Sequence, residues 1–504
     1  MNKNLYALLK ERFNPRFDQV FLQSPGGSSW TYGEMDSLCA RFARAFLDMG
    51  VAAGDRIVVQ VDKSPAAVAV YLACLRIGAV YVPLNTSYTA NEVEFFLTDA
   101  TPAVFIHAPE RVKEYQPLVG KAGIRHSCML GTSGDVHLWS EVKDLAGYDD
   151  ILEATESDIA AMLYTSGTTG RPKGAMLSHG NLSSNALTLH DYWGFVPEDV
   201  LIHALPVYHV HGLFVALHCA MLSGCRVIFL PRFDTGLTRT CLPEATVMMG
   251  VPTYYTRLLA DAGFDASICG NMRVFISGSA PLSPQTFEEF EQRIGGKILE
   301  RYGMTETGMI ASNPLDGERI AGTVGFPLPG VEVRITGNEG KILPDGEIGN
   351  VEVRGANVFK GYWNRPELGR EVFRDDGYFI TGDLGHLENG RLTLAGRSKD
   401  LIISGGLNIY PGEIEHCLDD LPGIRESAVI GVPHHDFGEA VIAVVVADSS
   451  EALTEGQVKE GIKSNIAGFK QPKRVFIVDE LPRNTMGKVE KNVLRERYRD
   501  VFEV

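Results

Sequence analysis

The chain has 504 residues, and its 47 Lys and Arg against 63 Asp and Glu give a net charge of −16. That acidic balance excludes a protein that coats nucleic acid, because phosphate binding needs a positive field. Hydrophobic residues at 45% and charged residues at 22% exclude whole-chain disorder and supply a large core.

In chain order, the hydrophobic periodicity predicts a helix over Tyr32 to Met49, a strand over Arg56 to Val61 and a helix over Ser64 to Ile77. A strand ending at Val80 to Pro83 and a helix over Asn91 to Asp99 follow. This alternation predicts a mostly parallel sheet covered by helices, and a second such region runs from about 158 to 310. Val200 to Cys225 carries no Asp, Glu, Lys or Arg, but Pro206, Gly212 and four histidines make it a buried strand, loop and helix rather than a membrane span. Residues 324 to 402 read as short strands in a small barrel-like region, with a hairpin turning at Asn389-Gly390. After Asp400 the pattern becomes a compact α+β unit: helix Glu413 to Leu421, strands Glu426 to Val432 and Ala440 to Ala447, a capping box at Thr454-Glu-Gly-Gln457, and strand Arg474 to Val478. The expected fold is therefore α/β, with a large domain over 1–398 and a small α+β domain over 399–504. Eight cysteines without a C-x-x-C pair predict reduced, buried thiols in a cytoplasmic protein, not a disulfide frame or zinc site. The opening Met1-Asn-Lys-Asn-Leu5 has no apolar stretch, so no secretory signal is expected.

Chemistry first shows at Thr165-Ser-Gly-Thr-Thr-Gly-Arg-Pro-Lys-Gly174, which follows the apolar strand Ile159 to Tyr164. Gly167 and Gly170 let backbone N–H groups converge on an anion, Ser166, Thr168 and Thr169 add hydroxyls, and Lys173 adds charge. The segment is not a Walker A loop, because Gly174 to Leu177 reads as a second strand and not as a helix.

Four further motifs stand in order: Arg301-Tyr-Gly-Met-Thr-Glu-Thr307, Tyr378-Phe-Ile-Thr-Gly-Asp383, Gly396-Arg-Ser-Lys-Asp400 with Ser404-Gly-Gly406, and Pro482-Arg-Asn-Thr-Met-Gly-Lys488. With the phosphate loop they resemble the acyl-adenylate-forming enzymes over residues 30 to 495. The resemblance implies ATP, Mg²⁺ and coenzyme A as ligands, and a carboxylate that is first adenylated and then passed to a thiol. It implies Lys488 as the mobile catalytic cation, with Thr305 at the α-phosphate and Glu306 and Thr165 toward Mg²⁺. It places Gly278, Glu300, Arg301 and Tyr302 around adenine, Asp383 and Arg397 at the ribose, Lys399 at the hinge, and Ser404, Gly405 and Gly406 along the pantetheine path.

For the acid, the resemblance is to malonyl-CoA synthetases. It bounds the acyl pocket by Pro206-Val-Tyr-His-Val-His-Gly-Leu213, Gly250 and Gly278. Arg257 and Ser279 are expected to hold a distal carboxylate, Arg257 as a buried guanidinium one turn inside a helix starting near Thr253, with Arg319 as a rival. His209 is expected to add a donor, and Val210 and Met309 to line the pocket. The implied partners are a small dicarboxylate, ATP and coenzyme A, with no nucleic acid, membrane or obligate protein partner. A short-chain or aromatic acyl-CoA synthetase, an enzyme loading a carrier protein, and a non-catalytic nucleotide-binding protein are the other readings.

Overall fold

The computed structural model describes residues 2–132, 138, 142–166 (Ser166 by its backbone alone), 172–405, 407–434, 436–448, 453–463, 465–484 and 487–502. Gly167, Thr168, Thr169, Gly170 and Gly406 lie outside the described residues.

A six-stranded sheet runs His126–Met129, Val104–His107, Arg56–Gln60, Val80–Pro83, Ile159–Ser166, Pro172–Ser178, and all its pairs are parallel except the last. A nine-stranded sheet carries a parallel centre: Leu299–Met304, Val274–Ser277, Val247–Gly250, Val200–His203, Arg226–Phe229, Val20–Gln23. Helices cover the sheets, and their sequences explain their place. Pro65–Arg76 is apolar all round, begins with Pro65 after the Ser64 cap, and is buried along its length. Tyr32–Asp48 and Ala90–Ala100 each open with the capping box their sequences announce, Thr31 with Glu34 and Thr89 with Glu92. One continuous core joins the two sheets with Pro65–Arg76 and Tyr32–Asp48, while Ala90–Ala100 packs Val93, Phe96 and Leu97 on a separate core with Val58, Val80, Val82 and Phe105. The segment from Val200 resolves as the strand Val200–His203, a π-helical turn over His211–Ala216 and the helix Leu217–Ser223, all buried. Among the described residues no helix is long and apolar enough to cross a membrane.

The barrel-like region pairs as a four-stranded antiparallel sheet, Val331–Thr336, Gly349–Gly355, Phe379–Glu388, Arg391–Arg397. Its hairpin turns at Asn389 and Gly390, both at positive φ, as the dipeptide predicts. Glu352 is fully buried at its centre and accepts from Arg334 Nε (2.8 Å), Arg374 Nε (2.7 Å) and Thr336 Oγ1 (2.8 Å). Removing the carboxylate takes away the partner of Arg374 and leaves Arg334 with Asp376 alone, both guanidinium groups being only partly exposed. Glu352→Ala is therefore expected to destabilise this region by about 2–4 kcal/mol, read as a lower urea midpoint, whereas Asp376→Ala, at the exposed end of the same network, should shift it by less than about 1 kcal/mol.

The last unit is a five-stranded sheet, Leu407–Ile409, Ile402–Ser404, Gly438–Ala447, Ile424–His434, with Arg474–Val478 parallel to the long central strand. Alternate residues of that strand feed two separate cores, Val441, Ala443 and Val445 on one face and Ile442, Val444 and Val446 on the other. The helix Glu455–Ile462 opens with the expected Thr454–Gln457 capping box.

Candidate active site

The parallel strands aim their C-terminal ends at one edge, where ligands bind in sheets of this kind. Val200–His203 leads into the histidine loop, Val247–Gly250 into the helix Pro252–Leu259, Val274–Ser277 into Gly278 and Ser279, and Leu299–Met304 into Thr305 and Glu306. The antiparallel hairpin Ile159–Ser166 with Pro172–Ser178 brings the phosphate loop to the same place: Thr165 Oγ1 donates to Glu306 Oε1 at 3.2 Å.

Glu306 is buried and also accepts from Tyr362 Oη at 3.0 Å. Burial raises its carboxyl pKa, opposed by those two hydroxyls and by the Arg397 charge. Lys173 Nζ stands 5.3 Å from the centre of the same Tyr362 ring. Tyr362 thus links lysine, ring and carboxylate; its motif Asn357-Val-Phe-Lys-Gly-Tyr362 is visible in the sequence, but spacing gave it no role. Among the described residues no three His, Cys, Asp or Glu side chains gather into a metal cage. Glu306 with Thr165 does fit Mg²⁺, which takes one or two carboxylates and completes its shell with water and phosphate oxygens.

Asp383 is held from two sides, by Tyr302 Oη at 2.5 Å and Arg397 Nε at 3.0 Å. Lys488 lies within electrostatic reach of Asp383, Arg397, Asp400 and Lys399, and burial together with the Arg397 charge lowers its pKa to about 8. Lysine and ribose motifs, 105 positions apart in the sequence, therefore meet here. Lys399 is exposed in the 3₁₀ turn Ser398–Asp400. Ser404 and Gly405 sit on the hairpin of the last sheet, and among the described residues no hydrogen bond or ion pair joins them to Asp383, Glu306 or Lys488.

The acyl side differs from expectation in one residue. Arg257 is exposed, because the helix Pro252–Leu259 buries Tyr255, Leu258 and Leu259 and turns Arg257 outward; among the described residues it makes no ion pair. Arg319 donates to the carbonyls of Pro314, Lys297 and Leu315 and is fully engaged there. The buried guanidinium is that of Arg301, 3% exposed. It lies over Gly278, where a Cβ would overlap it, and close enough to His209 and His211 that its charge, after burial itself, lowers both their pKa values. Its Nε and Nη2 have no partner, and burial brings its pKa down to about 9 with no carboxylate opposing. Its chain neighbour Glu300 points elsewhere, accepting a long 3.4 Å bond from Leu282 N–H, and burial raises its pKa to about 8.

Ser279 is held at φ +72°, a strained setting for a non-glycine residue, and its Oγ is 3.3 Å from His211 Nδ1. Neutral His209 accepts from His211 N–H at 3.3 Å. Val210, Phe214, Thr305 and Gly308 line one small cavity. Met309 is clamped by Asn185, whose Oδ1 accepts from its N–H at 3.0 Å and whose Nδ2 donates to its carbonyl at 2.9 Å. The site thus gathers Thr165, Glu306, Asp383, Arg397 and Lys488 and, beside His209, His211 and Gly278, the buried guanidinium of Arg301 with no carboxylate opposing it.

These features are those of an enzyme that activates an acid with a nucleotide, and the chain belongs to the AMP-binding enzymes: that family's profile matches residues 9–363 and the profile of the AMP-binding enzyme C-terminal domain matches residues 413–488. Within it, the chain is 49% identical to MatB from Rhodopseudomonas palustris over all of both chains, with a TM-score of 0.97 to the ATP-bound form and 0.86 to the apo form. Its arrangement thus follows the ATP-bound form more closely. Curated relatives include a malonate–CoA ligase of Arabidopsis thaliana (34% identical, 95% of this chain, 86% of that one) and a feruloyl-CoA synthase of an Amycolatopsis species (34%, 94% and 95%).

Proposed function

We propose that this enzyme ligates malonate to coenzyme A through malonyl-adenylate, releasing AMP and pyrophosphate. The observation that carries the acid's identity is Arg301. A buried guanidinium without a counter-ion is costly unless a ligand supplies the anion. Malonate does so with its second carboxylate, placed between Arg301, Ser279 Oγ and the histidine loop, while its first faces the α-phosphate. Arg301 takes this role instead of Arg257. The resemblance to the Arabidopsis malonate–CoA ligase supports the same acid.

In the first step a carboxylate oxygen attacks the α-phosphorus, the C–O–P linkage forms, and the bond to pyrophosphate breaks. Lys173 and the loop over Ser166, Gly167, Thr168, Thr169 and Gly170 hold the polyphosphate. Lys488 sits between the two repelling anions, and its compact ammonium stabilises the charge that gathers at phosphorus. Asp383 and Arg397 hold the ribose, and Tyr302 packs at the adenine. Glu306 and Thr165 would hold Mg²⁺, which when bound offsets phosphate charge. In the second step the thiol of coenzyme A adds to the acyl carbon, loses its proton, and AMP leaves with the carboxylate oxygen. We divide the chain at 398/399, with Lys399 as the pivot, so that Lys488 withdraws and Ser404, Gly405 and Gly406 approach the thiol path. We place the reaction in the cytoplasm, because eight cysteines kept as thiols, seven of them buried, suit a reducing compartment.

AMP release measured over malonate, methylmalonate, succinate, butyrate and ferulate tests this reading. Malonate is expected to lead, and a lead for butyrate or ferulate would reject the diacid. The pH profile supplies another expectation. In the free enzyme Lys488 loses its proton near pH 8, so kcat/KM for ATP in the adenylation half-reaction should fall as pH rises through that value. Bound ATP favours the charged lysine, so the corresponding limb in kcat should lie at higher pH. Pyrophosphate release followed against pH checks both limbs.

A further inference from the structure

The described residues on either side of the turn that carries Lys488 are tied together by hydrogen bonds. Asn484 N–H donates to the Lys488 carbonyl (2.9 Å), Gly487 N–H to the Asn484 carbonyl (2.8 Å) and Lys488 N–H to Asn484 Oδ1 (3.0 Å). Arg483, itself ion-paired with Glu426, donates to the Gly487 carbonyl at 2.6 Å. Gly487 holds φ +75°, and its bare Cα rests against the side chain of Thr253: a Cβ there would stand 2.9 Å from Thr253 Oγ1 and 3.2 Å from Cγ2.

The surface it rests on is equally fixed. Thr253 is the second residue of the helix Pro252–Leu259. Its neighbour Tyr254 stacks on Phe233 with ring centres 4.0 Å apart and donates to the Ala204 carbonyl at 3.3 Å. Tyr255 donates to the Ile276 carbonyl at 2.6 Å. A second close approach across this boundary, Gly412 on the Ala395 carbonyl, lies beside the Ser398–Asp400 turn and constrains the pivot, not the depth of the lysine.

We propose that Thr253 is the seat of the lysine turn in adenylation: a positioning residue whose side chain stops Gly487 at the depth that leaves Lys488 beside Asp383 and Arg397. The inference rests on the adenylation reading above and adds to it the residue that sets the closed position. It accounts for a glycine just before the lysine on two grounds, the positive φ and the contact. A larger residue at 253 then acts as a wedge. It holds the cation away from the α-phosphate while leaving the other state of the enzyme, in which the turn is elsewhere, untouched.

The test separates the half-reactions. Thr253→Leu and Thr253→Trp are expected to lower AMP-forming adenylation of malonate by about 10²-fold, the usual scale for a displacement of about 1 Å. Both should form thioester from supplied malonyl-adenylate and coenzyme A at the wild-type rate, which also reports that they fold. Thr253→Ser should retain most of the adenylation rate. Unchanged adenylation in both bulky variants, or an equal fall in both half-reactions, would overturn the seat. A wild-type enzyme that makes no AMP from any acid would overturn the adenylation reading, and the seat with it; a wild type that makes AMP while the wedge variants match it overturns the seat alone.

Discussion

Lys488→Ala is expected to lower AMP formation from malonate and ATP by about 10²–10³-fold, the scale for losing one preorganised charge donor at a reacting centre. Thioester formation from supplied malonyl-adenylate should continue. The asymmetry follows from what each step asks of the site. Joining a carboxylate to a triphosphate brings two anions together at phosphorus, and Lys488 is the residue the structure places among Asp383, Arg397 and Asp400 with a partly buried ammonium. Attack of a thiol on the adenylate brings no second anion to phosphorus, and the narrow approach must then be open. Lys488→Arg should rescue poorly, because a planar fork does not replace a compact charge at a tetrahedral centre. Equal loss in both half-reactions would show that the lysine serves the fold, or that the closed arrangement serves both steps.

Arg301→Met is the second large effect. Truncating one partner of a desolvated charge pair costs about 2–4 kcal/mol, so kcat/KM for malonate should fall by about 30- to 10³-fold, while butyrate improves as the buried charge leaves the site. Arg257→Ala separates the two arginines: Arg257 is exposed one turn on from Thr253, so malonate kcat/KM that holds in this variant leaves Arg301 as the anion's partner, and a fall of the same size would return that role to Arg257. The same Arg301 variant makes a second, opposite prediction. With no internal counter-ion the cation opposes folding of the ligand-free protein, so Arg301→Met should melt higher than wild type without ligand and lose most of the stabilisation that malonate gives. Thermal melts with and without malonate check this; a variant that melts lower in both would mean the guanidinium is paired after all.

Most of the framework was legible from residues. Capping boxes at Thr31, Thr89 and Thr454, the Asn389-Gly390 turn and the uncharged stretch from Val200 each announce local geometry, and local rules suffice for them. The grouping of the motifs at one sheet edge comes from the strand order, which the sequence reading did not assign. Arg257 and Arg301 show where such reading stops. Each is an arginine beside a motif, and which one is buried depends on helix rotation: Pro252–Leu259 turns Tyr255, Leu258 and Leu259 inward, and position 257 follows outward. Arg301, by contrast, leaves its strand toward the bare Cα of Gly278, a fit made by two residues 23 positions apart. Tyr362 and Thr253 stand in segments the sequence singles out, but their contacts were not legible, for a related reason. Their partners, Glu306 and Gly487, are distant in sequence, and no periodicity encodes a contact of that range.

The cysteine inventory has a practical outcome. Seven thiols are buried, while Cys417, on the helix Pro411–Asp419 beyond the pivot, is the partly accessible one. Partial burial raises its pKa, so a maleimide dye or spin label should react slowly at neutral pH and faster in mild alkali. The unaltered protein therefore carries its own attachment point for a fluorophore on the C-terminal unit, and the rotation we propose for that unit can be sought optically during turnover without engineering a single residue.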